Sequence, residues 1–206
     1  MANLNQPILE RMRAIILSKA CQRINFNPGG SLPINADLYK RLAVILHNPG
    51  FKDNHLDVET DPNPAKPAGA EASYSIKRNT FYLPRWWYAD LQDSKEGRLP
   101  FEKMTIVHEC THAAVDLLKT PIYWLYAESS AYIAGALYNL YCGSPWKPSE
   151  DQYIFVEAAR VADEIKDKPG VTSINTSRLH FAIQQDENYK IIPGNTHYYC
   201  DGIPEP

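Results

Sequence analysis

The sequence lacks the patterns that mark several large protein classes. Its four cysteines, Cys21, Cys110, Cys142 and Cys200, form no CxxC pair and no zinc-finger spacing. No apolar run approaches the roughly 20 residues of a membrane span. The sequence has no basic stripe or Arg/Lys-rich tail, and its formal net charge at pH 7 is -3. We therefore expect neither a nucleic-acid partner nor membrane insertion.

The first residues lack the features of a secretory signal peptide. The segment 1–7 has no basic region, and the apolar stretch 14–17 is short and follows the charged residues Glu10, Arg11 and Arg13. The isolated cysteines are interpreted as mainly reduced thiols, with one or two disulfides in an oxidising compartment as the alternative. We expect a cytoplasmic protein, or one exported by a signal-peptide-independent secretion system.

The composition is typical of an ordinary folded domain. The chain has 206 residues, of which 44% are hydrophobic and 22% charged. This length predicts a single domain, 1–206, with one sizeable core. Within it we distinguish a helical N-terminal part (1–60), a core that carries the chemistry (72–142), and C-terminal helices with an irregular tail (149–206).

The first half predicts helices followed by a hairpin. Apolar spacing predicts a helix over 8–24, and Asn35 or Asp37 is a candidate cap for a second helix. The Pro/Ala-rich segment 61–70 is predicted to be a surface loop. Strand-forming residues over 72–83 predict a β-hairpin that turns near Asn79. The aromatic segment 85–88 is interpreted as core packing, with one wall of a substrate cleft as the alternative.

The second half is predicted to be mainly helical. One helix is predicted to begin at Pro100, since proline is favoured at the first helical position. This helix is expected to end near Leu118 or Lys119. Thr120 and Pro121 then predict the cap and first residue of a helix that runs to Tyr141. Further helices are expected over 149–167, capped by Ser149, and over 176–187. The last dozen residues are expected to be irregular, and the whole fold is expected to be α+β and mostly helical.

The most informative segment is His108-Glu109-Cys110-Thr111-His112. Two histidines four residues apart lie on one face of a helix, so their imidazoles can converge on one ion. Glu109 lies one step around the helix, where it can reach a water molecule without being a ligand, as a general base must. The alternative interpretation is two unrelated histidines on an amphipathic helix.

A third ligand is chosen by distance. His108, His112 and Asp116 would form a row about 12 Å long at 1.5 Å rise per residue, too long for one ion, so Asp116 is interpreted as a supporting or surface carboxylate. Glu128 lies as far beyond the corner at Thr120 as His112 lies before it. In an antiparallel helical hairpin the two are level, and inward side chains can meet. The alternative for Glu128 is a solvated helix carboxylate.

A helix with HExxH followed by a glutamate on the next helix resembles the gluzincin branch of the zincin metallopeptidases. The resemblance implies that His108, His112 and Glu128 bind Zn²⁺ and that Glu109 is the base. It also implies a zincin-like fold, with a small β-hairpin or sheet packed on the HExxH helix. Segment 79–83 resembles the edge strand along which zincins bind an extended peptide.

Other features of the resemblance are partial. The amino-acid sequences of the two helices also resemble those of compact bacterial metallopeptidase-like domains, some of which are secreted effectors or toxins. The metzincin pattern is excluded because Val115 and Leu118 replace its glycine and third histidine. No residue that stabilises the oxyanion can be assigned by motif, and the candidates are Tyr132, His180, His197 and Tyr198.

The residues predict a zinc-dependent metallohydrolase, with a peptidase that acts on peptide or protein substrates as the first hypothesis. A cognate inhibitor or an export machinery are further expected partners. One alternative is a non-catalytic helical module with a structural zinc, whose fourth ligand would be a residue such as His180 or His197. Another is a metal-dependent amidase that acts on cell-wall material.

Overall fold

The computed structural model describes residues 6–29, 32–47, 56–59, 72–84, 99–144, 146–193 and 196–203. Over these residues the chain is an α+β protein in which helices predominate and the sheets are small. This agrees with the α+β, mostly helical class predicted from the sequence. The loop predicted over 61–70 and the aromatic segment 85–88 lie outside the described residues.

Six α-helices lie in the described part of the chain. They are α1 (Gln6–Ile16), α2 (Ala36–His47), α3 (Leu99–Asp116), α4 (Trp124–Tyr141), α5 (Tyr153–Ile165) and α6 (Ser177–Gln185). The prediction of one helix over 8–24 is wrong in its length, because α1 ends at Ile16 and Cys21–Arg23 forms a separate 3-10 turn. The cap predicted at Asn35 is confirmed, since its Oδ1 accepts a hydrogen bond from the Leu38 backbone N–H at 3.0 Å.

Seven short strands form three small sheets among the described residues. They are β1 (Asn25–Phe26), β2 (Ile34–Asn35), β3 (Asp57–Glu59), β4 (Ser73–Ser75), β5 (Thr80–Tyr82), β6 (Ile122–Tyr123) and β7 (His197–Tyr198). The predicted hairpin is confirmed: β4 and β5 pair antiparallel. Asn79 forms the turn with a φ of 49°, a left-handed conformation that asparagine tolerates better than most residues.

The prediction that segment 79–83 is an edge strand is wrong. The strand β5 is the centre of a three-stranded sheet, with β3 parallel on one side and β4 antiparallel on the other. Its backbone groups are therefore already paired on both sides, and no peptide can add to it. The sequence prediction missed β3, which lies well before the hairpin and carries no turn signal that links it to β5.

Two predicted helix starts are also wrong. Thr120 and Pro121 do not begin α4, because Ile122–Tyr123 first forms β6, which pairs antiparallel with β7. Ser149 does not cap α5, which begins at Tyr153, and its backbone N–H instead donates to Gln152 Oε1 at 3.0 Å. In both places the sequence favours a helix cap, but the residues form other hydrogen bonds: β6 pairs with β7, and Ser149 donates to Gln152.

The C-terminal segment is not wholly irregular, contrary to the prediction. The strand β7 joins β6, and the Trp124 backbone N–H donates to the Thr196 carbonyl at 3.2 Å. Further on, the Gly202 backbone N–H donates to the buried Asp116 carboxylate at 3.1 Å. This segment is therefore tied to both ends of the turn that joins α3 to α4.

The helices α3 and α4 pack closely as the centre of the core. A Cβ atom added at Gly135 would lie 3.0 Å from the Met104 backbone oxygen and 3.0 Å from its Cγ. The absence of a side chain at Gly135 therefore permits the close approach of the two helices. This approach brings inward side chains of both helices within reach of one another.

The helices and the cysteines bear on the expectations about membrane insertion and disulfides. Among the residues that the structure describes, no helix has both the length and the apolar character needed to cross a membrane. All four cysteines are free; Cys142 is exposed and the other three are buried.

We predict that Gly135→Val destabilises the fold by about 1–3 kcal/mol, because the added carbon atoms must displace the Met104 backbone. Chemical denaturation measures this change. The matched control is Ala14→Val on the exposed face of α1, which alters only helix propensity and should cost less than about 1 kcal/mol. Equal losses in the two variants would show that the helices have room to separate.

Candidate metal centre

Two histidines of α3 face the same space. His108 and His112 lie one turn apart, both are buried, and their Nε2 atoms are 3.2 Å apart. The i, i+4 spacing therefore does what the sequence predicted: it brings two imidazole nitrogens together on one helical face.

Glu128 reaches the same point from α4. Its Oε2 lies 3.5 Å from His112 Nε2 and 3.8 Å from His108 Nε2, and its side chain is buried. One ligand atom from each of the three residues lies within 4.8 Å of the others. The prediction that the hairpin brings Glu128 level with His112 is confirmed, and Glu128 is not a solvated carboxylate.

The three side chains have the spacing that a tetrahedral ion requires. Ligand atoms about 2.0–2.1 Å from a tetrahedral zinc lie about 3.3 Å from one another. The separations of 3.2, 3.5 and 3.8 Å are close to that value. Two imidazoles and one carboxylate are also a common donor set for catalytic zinc, so the residues fit the ion.

The charges of the site favour a cation between these side chains. Burial and the neighbouring His112 lower the pKa of His108 to about 3. Burial alone would raise the pKa of Glu128, but the charge and hydrogen bond of His112 lower it to about 2. Burial would lower the pKa of His112, yet Glu128 raises it above its usual value. Without an ion, the positive partner of the buried Glu128 carboxylate is the protonated His112 ring. A divalent ion would take that place as His112 loses its proton.

Glu109 lies beside the triad but outside it. It is buried, its Oε1 is 4.0 Å from His108 Nε2, and it lines the cleft that opens next to the histidines. It does not belong to the group of ligand atoms formed by His108, His112 and Glu128. This is the position that the sequence predicted for it, next to the candidate ion site and outside the ligand group.

Two tyrosines hold the Glu128 carboxylate. The Tyr189 hydroxyl donates to Oε2 and the Tyr198 hydroxyl donates to Oε1, each at 3.1 Å. Tyr198 was one of the candidates from the sequence, whereas Tyr189 was missed. No local signal could have found Tyr189, because it lies 61 residues beyond Glu128 in a turn without a motif. The two phenols fix the orientation of the carboxylate toward the histidines.

The other candidates from the sequence, Tyr132, His180 and His197, lie outside the ligand group. The Tyr132 ring packs edge-on against the His108 ring at 4.4 Å between centroids, and its hydroxyl lies 3.0 Å from that of Tyr189. His180 Nε2 lies 3.2 Å from Ser129 Oγ, and His197 is exposed on β7. Within the described residues neither histidine joins the ligand group, so the fourth protein ligand expected of a structural zinc is not found there.

Asp116 is fully buried, so its interpretation as a surface carboxylate is wrong. It accepts hydrogen bonds from the Tyr74 hydroxyl at 3.0 Å and from the Gly202 backbone N–H at 3.1 Å. It lies outside the ligand group, as the distance argument predicted. Its role is to join the sheet and the C-terminal segment to the end of α3.

A large cleft opens beside His108 and Glu109. Its volume is about 1030 Å³, and the helices α3, α4, α5 and α6 and the turn after α6 contribute to its walls. Ligand pockets typically measure about 300–1,000 Å³. The cleft therefore has room for a ligand larger than one side chain directly next to the candidate ion site.

We predict that metal-stripped protein binds one equivalent of zinc per chain, measured by competition with a chromophoric chelator. Glu128→Ala and His112→Ala should each weaken binding by more than the roughly 10–100-fold typical of outer hydrogen-bond partners, because each removes one of three ligands. His47→Ala, at an exposed histidine of α2, is the control and should bind normally. Stoichiometric zinc binding that persists in Glu128→Ala would refute the triad.

We predict further that Tyr189→Phe and Tyr198→Phe each weaken zinc binding by about tenfold, because each removes one hydrogen bond that orients Glu128. The same chelator competition measures the effect. Tyr153→Phe is the control, since the Tyr153 side chain is exposed on α5. Unchanged affinity in both variants would mean that the carboxylate is positioned without the phenols.

The comparisons with known proteins add no relative. The chain matches no protein-family model, no curated protein and no solved structure.

Proposed function

We propose that this protein is a zinc-dependent metallohydrolase, and specifically a peptidase. The observation that carries the proposal is the buried convergence of His108, His112 and Glu128, with Glu109 next to them and a large cleft alongside. Three protein ligands with a cleft beside them are typical of a catalytic zinc site, whereas structural sites are closed by four protein ligands.

The proposed division of labour follows from the positions of the residues. A zinc ion held by these residues would act as a Lewis acid toward a carbonyl oxygen and would lower the pKa of water toward about 7. Glu109 accepts the proton of the attacking water and later donates it to the leaving amine. His108, His112 and Glu128 hold the ion, while Tyr189 and Tyr198 orient the Glu128 carboxylate.

Tyr132 is the best-placed residue for a further role in the reaction. It lies one helical turn after Glu128, and its ring contacts the His108 ring within the cleft. Its hydroxyl is a hydrogen-bond donor or acceptor for Tyr189. We assign Tyr132 to the cleft wall next to His108, where its hydroxyl is the candidate donor to a negatively charged oxygen.

The gluzincin resemblance supports this proposal by the arrangement of the candidate ligands, whereas the sheet differs from the expected one. The order of the ligands along two successive helices matches the pattern that the resemblance implies. The strand β5 cannot bind an extended peptide, because both its neighbours already pair with it. Substrate binding is therefore assigned to the cleft between the helices.

We predict that zinc-loaded wild-type protein cleaves bonds in a pool of proteome-derived peptides, with the products identified by mass spectrometry. Glu109→Gln should keep one zinc per chain and lose activity by about 10²–10⁴-fold, because a positioned base contributes that factor. Glu164→Gln, at an exposed glutamate of α5, is the matched control and should keep full activity.

Two outcomes would contradict the peptidase proposal. Zinc-loaded protein that cleaves no bond in the pool would refute it directly. Release of soluble fragments from purified cell-wall material, dependent on Glu109 and without peptide cleavage, would favour the amidase alternative.

A further inference from the structure

One wall of the cleft is an apolar face of α3 that leads away from the candidate ion site. Phe101, Met104, Thr105 and His108 all line the cleft. Their spacing of three, four and seven residues places them on one face of the helix. At 1.5 Å rise per residue this face extends about 10 Å from the His108 ring.

Aromatic rings continue this wall without a break. The Tyr132 ring contacts His108, and it also packs against the Phe155 ring with centroids 5.4 Å apart. Phe155 in turn packs against Phe101 at 5.6 Å. A side chain that enters the cleft next to the ion site would therefore meet mainly aromatic carbon.

Two large aromatic side chains at the cleft are exposed to solvent. Tyr153 of α5 is 71% exposed and Phe181 of α6 is 65% exposed, and both line the cleft. Exposed apolar groups gathered at a concave site indicate a binding surface, since burying them against a ligand is favourable. They lie on α5 and α6, so these helices add exposed aromatic surface to the cleft beside the face of α3.

The charged residues that line the cleft are mostly acidic. Asp151 and Asp186 lie along it, as does Glu187, which pairs with Lys190 at 3.5 Å. Arg178 is the one lysine or arginine that lines the cleft within the described residues. Arg178 pairs with Glu157 at 2.6 Å, and Glu157 also pairs with Arg160 at 2.7 Å, so the charge of Arg178 is partly compensated. An excess of carboxylates at the edge of an apolar cleft favours a ligand that carries positive charge.

We propose that the cleft selects peptide substrates with a bulky apolar side chain next to the cleaved bond and a lysine or arginine within a few residues of it. The apolar side chain lies against Phe101, Phe155 and Phe181, and the basic group faces Asp151 and Asp186. That the occupant is a peptide rests on the function proposed above. The shape and charge of the cleft determine which peptide it prefers.

Binding can be measured separately from catalysis with the zinc-loaded Glu109→Gln protein. The probe is an end-blocked, fluorescein-labelled peptide with one phenylalanine and a lysine two residues away on each side, in a Gly/Ser background. Fluorescence anisotropy compares it with peptides in which alanine replaces the phenylalanine or glutamate replaces both lysines. We expect each change to weaken binding at least tenfold, and only the effect of the lysines to fall at high salt.

Variants of the protein test the same contacts from the other side. Phe181→Ala should weaken binding of the phenylalanine peptide about tenfold and leave binding of the alanine peptide unaffected, because only the phenylalanine loses a buried apolar contact. The variant is expected to fold, since the Phe181 side chain is exposed. Val44→Ala, at an exposed apolar residue of α2, is its control. Asp186→Asn should reduce the preference for lysine over glutamate several-fold, and Asp167→Asn makes the same charge change outside the cleft lining.

The outcomes separate this inference from the proposed function. If wild-type protein cleaves peptides but shows no preference for phenylalanine or lysine, or if Phe181→Ala binds normally, the inference is wrong and the peptidase proposal stands. If the phenylalanine and lysine preferences appear in Glu109→Gln but wild-type protein cleaves nothing, the cleft specificity stands and the catalytic proposal fails.

Discussion

The burial of the Glu128 carboxylate is the constraint on which the rest of the structure depends. A carboxylate removed from water is costly unless cationic or hydrogen-bonding groups surround it. Here it faces two imidazoles on one side and accepts hydrogen bonds from two phenols on the other. The arrangement satisfies the charge only if the two central helices are close and if the C-terminal segment returns to cover α4.

The two requirements are met by different parts of the sequence. The close approach of α3 and α4 depends on Gly135, where an added Cβ atom would lie 3.0 Å from the Met104 backbone oxygen. The return of the C-terminal segment depends on the pairing of β6 with β7 and on the hydrogen bond from Gly202 to Asp116. The supporting structure is therefore spread along the chain, although the candidate ligands lie within two successive helices.

This division explains how much could be predicted from the sequence. His108 and His112 follow from helical spacing, and Glu128 follows from the length of a helical hairpin, because these relations are local. Thr120 fails as a cap because pairing between β6 and a distant strand competes with the local signal. The central position of β5 and the contact of Tyr189 depend equally on residues far apart in sequence, for which a single sequence provides no spacing rule.

The tie between the C-terminal segment and the site has a consequence for the order of synthesis. A growing chain that has passed α4 already contains His108, Glu109, His112 and Glu128, but it lacks the phenols of Tyr189 and Tyr198 and the amide of Gly202. The Glu128 carboxylate acquires both phenol hydrogen bonds only after Tyr198 has emerged from the ribosome, and Asp116 acquires the Gly202 hydrogen bond slightly later. Maturation of the centre is thus delayed until a residue 70 positions beyond Glu128 has been translated.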